Sequence, residues 1–164
     1  MPQIKTERLE MVTLTADMME AILKGATEEI DYQLAAEWPL DVYKQFFSYK
    51  IERFRKYPHE NEWEGVIIDK KEQLIVGDMG FKGGPNEEGI IDLGYSIVPS
   101  YQGRGYATEM GKAMVEWAQT NPNVKQVVAT CDPDNIASIR VLEKIGFKRT
   151  KQTKESVFWT YQRV

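Results

Sequence analysis

One cysteine and one histidine occur in 164 residues, and neither has a partner of its own kind. Cys131 therefore forms no internal disulfide, and Cys131 and His59 together cannot furnish a Cys/His cluster for zinc, so no metal site is expected. Long apolar runs are lacking too. Nothing reaches the ~18 consecutive apolar residues of a spanning helix, and the opening Met-Pro-Gln-Ile-Lys-Thr-Glu has no apolar core of a signal peptide. These absences predict a cytoplasmic protein without membrane contact. No lysine-arginine block is present and the formal net charge is -4, which argues against general nucleic-acid binding. Repeats, low-complexity tracts and Pro/Gly/Ser-rich linkers are also missing. Residues 1–164 thus read as one domain, long enough to bury roughly two thirds of its unfolded surface.

The charge that is present is unevenly spread. Residues 1–64 hold 8 basic against 13 acidic side chains, residues 65–164 hold 13 against 12. Between Gly25 and Tyr43 stand Glu28, Glu29, Asp31, Glu37 and Asp41 with no base among them.

Periodicity gives the elements. Residues 8–14 read as a first strand, and Thr15 caps a helix that Gly25 ends. From Asp41, Val42, Phe46, Phe47, Tyr49, Ile51 and Phe54 recur at helical spacing until Pro58, predicting one longer helix. Residues 63–69 and 74–81 form a hairpin, and residues 90–98 a third strand of that group, ended by Pro99. Residues 104–119 carry Tyr106, Met110, Met114 and Trp117 on one helical face. Residues 124–130 are a β-branched strand. Asn135 then caps a helix with Ile136, Ile139, Leu142 and Ile145 as its buried face, closed by Gly146. Strands over 147–153 and 157–164 finish the chain. The order is β, two helices, three strands, α, β, α and two strands: a mixed α/β domain with about four helices, in which a crossover helix joins two parallel strands.

The stretch Ile97-Val98-Pro99-Ser100-Tyr101-Gln102-Gly103-Arg104-Gly105-Tyr106-Ala107-Thr108 holds the chemistry. A strand ends, a loop carries two glycines, and a helix begins; unpaired N–H groups at the positive end of a helix dipole suit a phosphate or pyrophosphate. A Walker A loop fails on spacing, since Gly111-Lys112 is followed by Ala113. A dinucleotide fingerprint fails because Thr108 stands where its third glycine belongs. What fits is Gln102-x-x-Gly105-x-Ala107, which resembles the (Arg/Gln)-x-x-Gly-x-(Gly/Ala) loop of the GNAT superfamily of acetyl-CoA-dependent N-acetyltransferases. Upstream, Asp92-Leu93-Gly94-Tyr95-Ser96-Ile97-Val98-Pro99 is similar to a strand of its ribosomal-protein-alanine acetyltransferase-like branch. Downstream, the run from Asn135 to Phe147 resembles that branch's Asn-x-x-Ser-x-x-x-x-Glu-Lys-x-Gly-Phe segment. Three motifs in order cover about residues 74–164. The N-terminal half, which selects the substrate in this superfamily, matches only in the order of its elements.

The resemblance implies a GNAT fold, a mostly antiparallel mixed sheet whose fourth and fifth strands, here 90–98 and 124–130, splay to admit the pantetheine arm of acetyl-CoA. Backbone near Ile97 and Val98 would pair with that arm. The pyrophosphate would rest on Gln102, Gly103, Arg104, Gly105, Tyr106, Ala107 and Thr108, with Asn135 and Ser138 across the cleft. Attack of a neutral amine on the thioester needs a base, an oxyanion donor and an acid for the thiolate. Asp92 stands where relatives often have a glutamate base, with Glu64 and Asp78 as rivals; an N–H near Val98 is the expected oxyanion donor. Many relatives place a tyrosine acid where this chain has Leu142, which leaves Ser138 or water. The expected acceptor is a primary amine on a protein N-terminus, polyamine, aminoglycoside or other small molecule; the acidic stretch 25–43 reads first as a solvated face, and otherwise as a surface that would draw a cationic acceptor. Similar folds often form homodimers. The alternative is a catalytically silent acyl-CoA-binding module of the same fold.

Overall fold

Strands and helices form where side-chain period and caps dictate, and a sheet results whose central strands are buried on both faces while the β8 edge is exposed. The computed structural model describes residues 3–161. Among these, nine strands make one sheet: β1 (Ile4–Lys5), β2 (Leu9–Thr13), β3 (Gln33–Leu34), β4 (Glu64–Asp69), β5 (Leu74–Phe81), β6 (Ile90–Ile97), β7 (Gln126–Cys131), β8 (Phe147–Gln152) and β9 (Val157–Tyr161). Their order is β1-β2-β4-β5-β6-β7-β9-β8, and β3 pairs with one end of β5. All pairings are antiparallel except β6 with β7 and β3 with β5. Every residue of β4 is buried, as a central strand covered on both sides requires.

Five α-helices cover the sheet: α1 (Ala16–Lys24), α2 (Asp41–Lys44), α3 (Phe47–Lys56), α4 (Tyr106–Gln119) and α5 (Ile136–Ile145). Alternation along β5 assigns them to faces. Met79 and Phe81 point to α4, where Phe81 stacks on Trp117 and Met79 nears Gly111. Asp78 points the other way, towards the side where Tyr43 of α2 and Lys50 of α3 bind Glu64. Gly111 is required where α4 crosses α5, since a Cβ there would lie 2.3 Å from Ile145 Cδ1.

The helix expected over 41–57 is broken in two. Gln45 Nε2 donates to the Val42 carbonyl at 2.9 Å, taking the acceptor that a continuous helix would give to the Phe46 N–H. That N–H turns to the Tyr43 carbonyl at 3.0 Å, a tighter turn that redirects the chain. Consequently Val42, Phe46 and Tyr49 do not join the core, whereas Phe47 and Phe54 do. Burying those two rings anchors α3 by roughly 1.5–3 kcal/mol each. On α5 the expected face is also narrower: Leu142 and Ile145 are buried and Ile136 is exposed. Short strands β1 and β3 were not expected, and residues 162–164 of the expected last strand lie outside the described residues.

The sheet parts at its centre. Parallel pairing of β6 with β7 runs from Ile90↔Gln126 to Leu93↔Ala129 and stops there. Beyond it β6 stays with β5 as far as Ile97↔Gly77, while β7 stays with β9 as far as Cys131↔Val157.

Candidate active site

The divergence leaves backbone groups of β6 without a neighbour. Hydrogen bonds from Lys82 N to Asp92 O and from Val98 N to Val76 O show that even-numbered residues of this strand turn their N–H and C=O towards β5. By alternation, Tyr95 and Ile97 turn theirs towards β7, which has left by that point. The Ile97 carbonyl is taken by Gln102 Nε2 at 2.8 Å. The Tyr95 amide and carbonyl and the Ile97 N–H remain for a ligand with amide groups. The N–H of Val98 itself is spent within the sheet at 2.9 Å, so of the donors near Val98 the Ile97 N–H is the one turned to the gap.

A cleft of about 480 Å³ extends from this gap over the start of α4, lined among others by Tyr95, Ile97, Gly103, Thr108, Asn135 and Ser138. Gly105, at φ 81°, precedes the 14-residue α4 without a side-chain cap. The first-turn N–H groups thus have no intrahelical acceptor and face the cleft at the positive end of the dipole. Of the residues expected to bind the donor, Ile97, Gln102, Gly103, Gly105, Tyr106, Ala107, Thr108, Asn135 and Ser138 line this cleft; Val98 and Arg104 do not. Arg104 lies over the Tyr101 ring at 4.3 Å, and its Nη2 reaches the Ser100 carbonyl at 3.4 Å, so it braces the loop. Tyr106 sends its hydroxyl to buried Asp69, and Arg8 covers its ring at 4.7 Å. Asn135 Oδ1 accepts the Ser138 N–H at 3.1 Å and so caps α5 while it lines the cleft.

A smaller cavity of about 290 Å³ fills the gap itself, between Leu93–Tyr95 and Ala129–Asp132, with Ser138 and Leu142 on its wall. Tyr95 Oη is buried here without a hydrogen bond of normal geometry. Burial pushes its phenol above the ordinary value, opposed by the Ser138 hydroxyl. Cys131 is half-buried on the same wall.

On the opposite face, under α2 and α3, lies a third cavity of about 470 Å³, lined by Val42, Tyr43, Phe46, Tyr49 and Lys50 from the helices and by Glu64, Asp78 and Ser96 from the sheet. Asp78, only 7% exposed, accepts from Ser96 Oγ at 2.8 Å and Trp38 Nε1 at 3.0 Å through Oδ2. Burial pushes its carboxyl up to about 6, against the lowering effect of those two donors. Glu64 is held by Lys50 Nζ at 2.7 Å and by the Tyr43 hydroxyl at 3.0 Å. Burial and the adjacent carboxylates raise the Tyr43 phenol well above its ordinary value. The cleft on one face and this cavity on the other share Tyr95 and Ser96 in their walls.

The structure leaves Asp92 out of all three cavities. Its Oδ2 is ion-paired with Lys82 at 3.2 Å, on the stretch where β6 and β7 are still joined. The five acids of the 25–43 stretch are likewise absent from these walls, and Glu37 is occupied by Ser100 Oγ at 2.6 Å. Trp38 and Tyr95 are the residues that sequence reasoning undervalued. Trp38 belongs to the core, yet its indole N–H holds the buried Asp78 carboxylate; Tyr95 sits inside the strand motif itself.

Comparison with known proteins agrees with this geometry. Residues 8–148 match the acetyltransferase (GNAT) domain family. The Bacillus subtilis protein YjdG, an uncharacterized N-acetyltransferase, is 31% identical over 162 residues, covering 96% of this chain and 96% of YjdG. A GNAT-family acetyltransferase from Bacillus anthracis superposes with a TM-score of 0.67 at 22% identity, covering 96% of both chains. RimL, a ribosomal-protein alpha-N-acetyltransferase solved with coenzyme A, superposes with a TM-score of 0.68 at 16% identity, again over 96% of both chains. These two structural likenesses are of fold.

Proposed function

The chain belongs to the GNAT acetyltransferase family, whose acetyl donor is acetyl-CoA, and from that premise we propose where on residues 1–164, acting as one domain, an amine is acetylated and by which groups. The reading rests above all on two cavities, from opposite faces of the sheet, sharing Tyr95 and Ser96, with the buried Asp78 carboxylate bonded to Ser96.

The cleft over α4 takes the donor. Its phosphates fit the free N–H groups of Gly103 to Thr108, and its amide-bearing arm fits the unpaired backbone of Tyr95 and Ile97. The cavity under α2 and α3 takes the amine. An alkylammonium has a pKa of ~10 and attacks only after losing its proton. Asp78 is the base: a carboxyl titrating near 6 is ionised at neutral pH and is a far better acceptor than an ordinary aspartate. Asp92, engaged with Lys82, is set aside for this role. Attack gives a tetrahedral oxyanion, for which the cleft-facing N–H of Ile97, next to Val98, or that of Tyr95 is the donor. Collapse forms the amide and expels a thiolate. Tyr95 Oη, with the Ser138 hydroxyl beside it, supplies the proton for which Ser138 or water was expected.

Two measurements on the purified chain test this together. Calorimetry should record coenzyme A binding, and a thiol-release assay with acetyl-CoA and a mixture of primary amines should record turnover. Binding without release on any amine would instead make the chain a silent acyl-CoA-binding module.

A further inference from the structure

We infer that the acceptor is a small arylalkyl monoamine, an amine one or two carbons from a flat apolar body, and not a polycation; this rests on the acetyl-transfer reading above. The argument is one of charge and surface within the cavity under α2 and α3. Of its two carboxylates, Glu64 is already neutralised by Lys50 at 2.7 Å and further occupied by the Tyr43 hydroxyl. Asp78 has two neutral donors and no cation bonded to it. The floor therefore offers one anionic group to one incoming ammonium.

A second ammonium, as on a polyamine or an aminoglycoside, would have to sit nearer the mouth. There the side chains are Val42, Phe46 and Tyr49, which are 63%, 50% and 64% exposed. The remaining charge on this wall is Lys82, of the wrong sign to receive it. A solvated cation moved against these groups loses water and meets no carboxylate there, only the weaker attraction of an aromatic face. A ring in the same place gains instead, because it covers apolar side chains that now face water and can stack edge to face on Phe46 or Tyr49. The broken helix is what puts them there: the turn at Gln45 and Phe46 directs Phe47 into the core and leaves its neighbours at the cavity. At about 470 Å³ the cavity is of small-ligand size.

Initial rates of thiol release with 2-phenylethylamine, spermidine and an alanine-led tripeptide amide test the inference on the intact chain. The expected result is a kcat/KM for 2-phenylethylamine at least roughly tenfold above either competitor, the discrimination that a few apolar contacts give. Phe46→Ala should raise its KM by roughly tenfold with a smaller change in kcat. Phe46→Glu supplies the missing second carboxylate and should swing the spermidine to 2-phenylethylamine preference by more than tenfold. Preference of the unaltered chain for spermidine or the tripeptide, or a KM for 2-phenylethylamine unmoved by Phe46→Ala, overturns the inference and leaves acetyl transfer standing. Coenzyme A binding with no release on any of the three overturns both.

Discussion

Replacing Asp78 by asparagine separates what a buried carboxylate costs the fold from what it gives the reaction. Burial takes this carboxyl from an ordinary value of 3.8 up to about 6. Between those values the folded chain holds a proton that the unfolded chain has released, so the fold is favoured most in acid and loses stability as pH rises to 6. At ~1.36 kcal/mol per decade the interval amounts to about 3 kcal/mol, fully lost above pH 6. Asparagine has no proton to lose, and its Oδ1 can accept both bonds that Ser96 and Trp38 now make to Oδ2. The stability of Asp78→Asn relative to the parent should therefore rise by about 3 kcal/mol between pH 3.5 and pH 7 and stay level beyond. Urea unfolding at pH 3.5, 5 and 7.5 measures the difference through the midpoints and slopes. Activity should move oppositely: kcat falls by roughly 10²–10⁴, as for a lost general base, and the rise of rate with pH through about 6 disappears. Stability curves that run parallel for the two proteins across this interval would refute the burial argument, and a variant that keeps the rate and its pH limb would remove Asp78 from the chemistry.

Other perturbations are read from the same contacts. Gly105→Asp places a carboxylate beside the free N–H groups of α4; coenzyme A affinity by calorimetry should fall more than roughly 100-fold, while unfolding shows a loss of only about 1 kcal/mol for the residue at φ 81°. Gly111→Ala forces a methyl to 2.3 Å from Ile145 Cδ1, and the free energy of unfolding measured in urea should fall by about 1–2 kcal/mol; adding Ile145→Val, which removes that carbon, should restore most of it. Lys50→Met strands the Glu64 carboxylate in its pocket and should cost about 1–3 kcal/mol, recovered in the double variant with Glu64→Gln, as a urea double-mutant cycle would record.

Much of the donor side was legible because it depends on local signals. Two glycines between a strand end and an amphipathic helix, and an asparagine cap three residues before Ser138, specify backbone geometry within a few positions. The acceptor side depends on what meets across strands, and spacing alone does not supply that. Glu64, Asp78 and Asp92 were all candidates for the base, and only the pairing register shows how differently they are placed: Asp78 lies opposite Ser96 at the gap, while Asp92 lies opposite Val128 where the sheet is still closed. Likewise the apolar period through Val42, Phe46 and Tyr49 reads as one buried helical face. A single glutamine amide, competing for a backbone carbonyl, turns it into the wall of a cavity. The acidic tract is silent for a different reason, since net charge along the chain says nothing about which side chains face a cavity.

The sheet acts as a partition, with Tyr95 and Ser96 common to the walls of a chamber that offers mainly backbone groups on one side and of a chamber that offers side chains on the other. The first holds its occupant largely through N–H and C=O groups, so it tolerates substitution wherever the backbone path is kept, Gly105 at φ 81° being a position where it is not. The second is written in a handful of exchangeable positions on α2 and α3, several of which contribute nothing to the core. Lineages built on this plan can therefore change the amine they accept by point substitution on one side of the partition while inheriting the acetyl donor unchanged on the other.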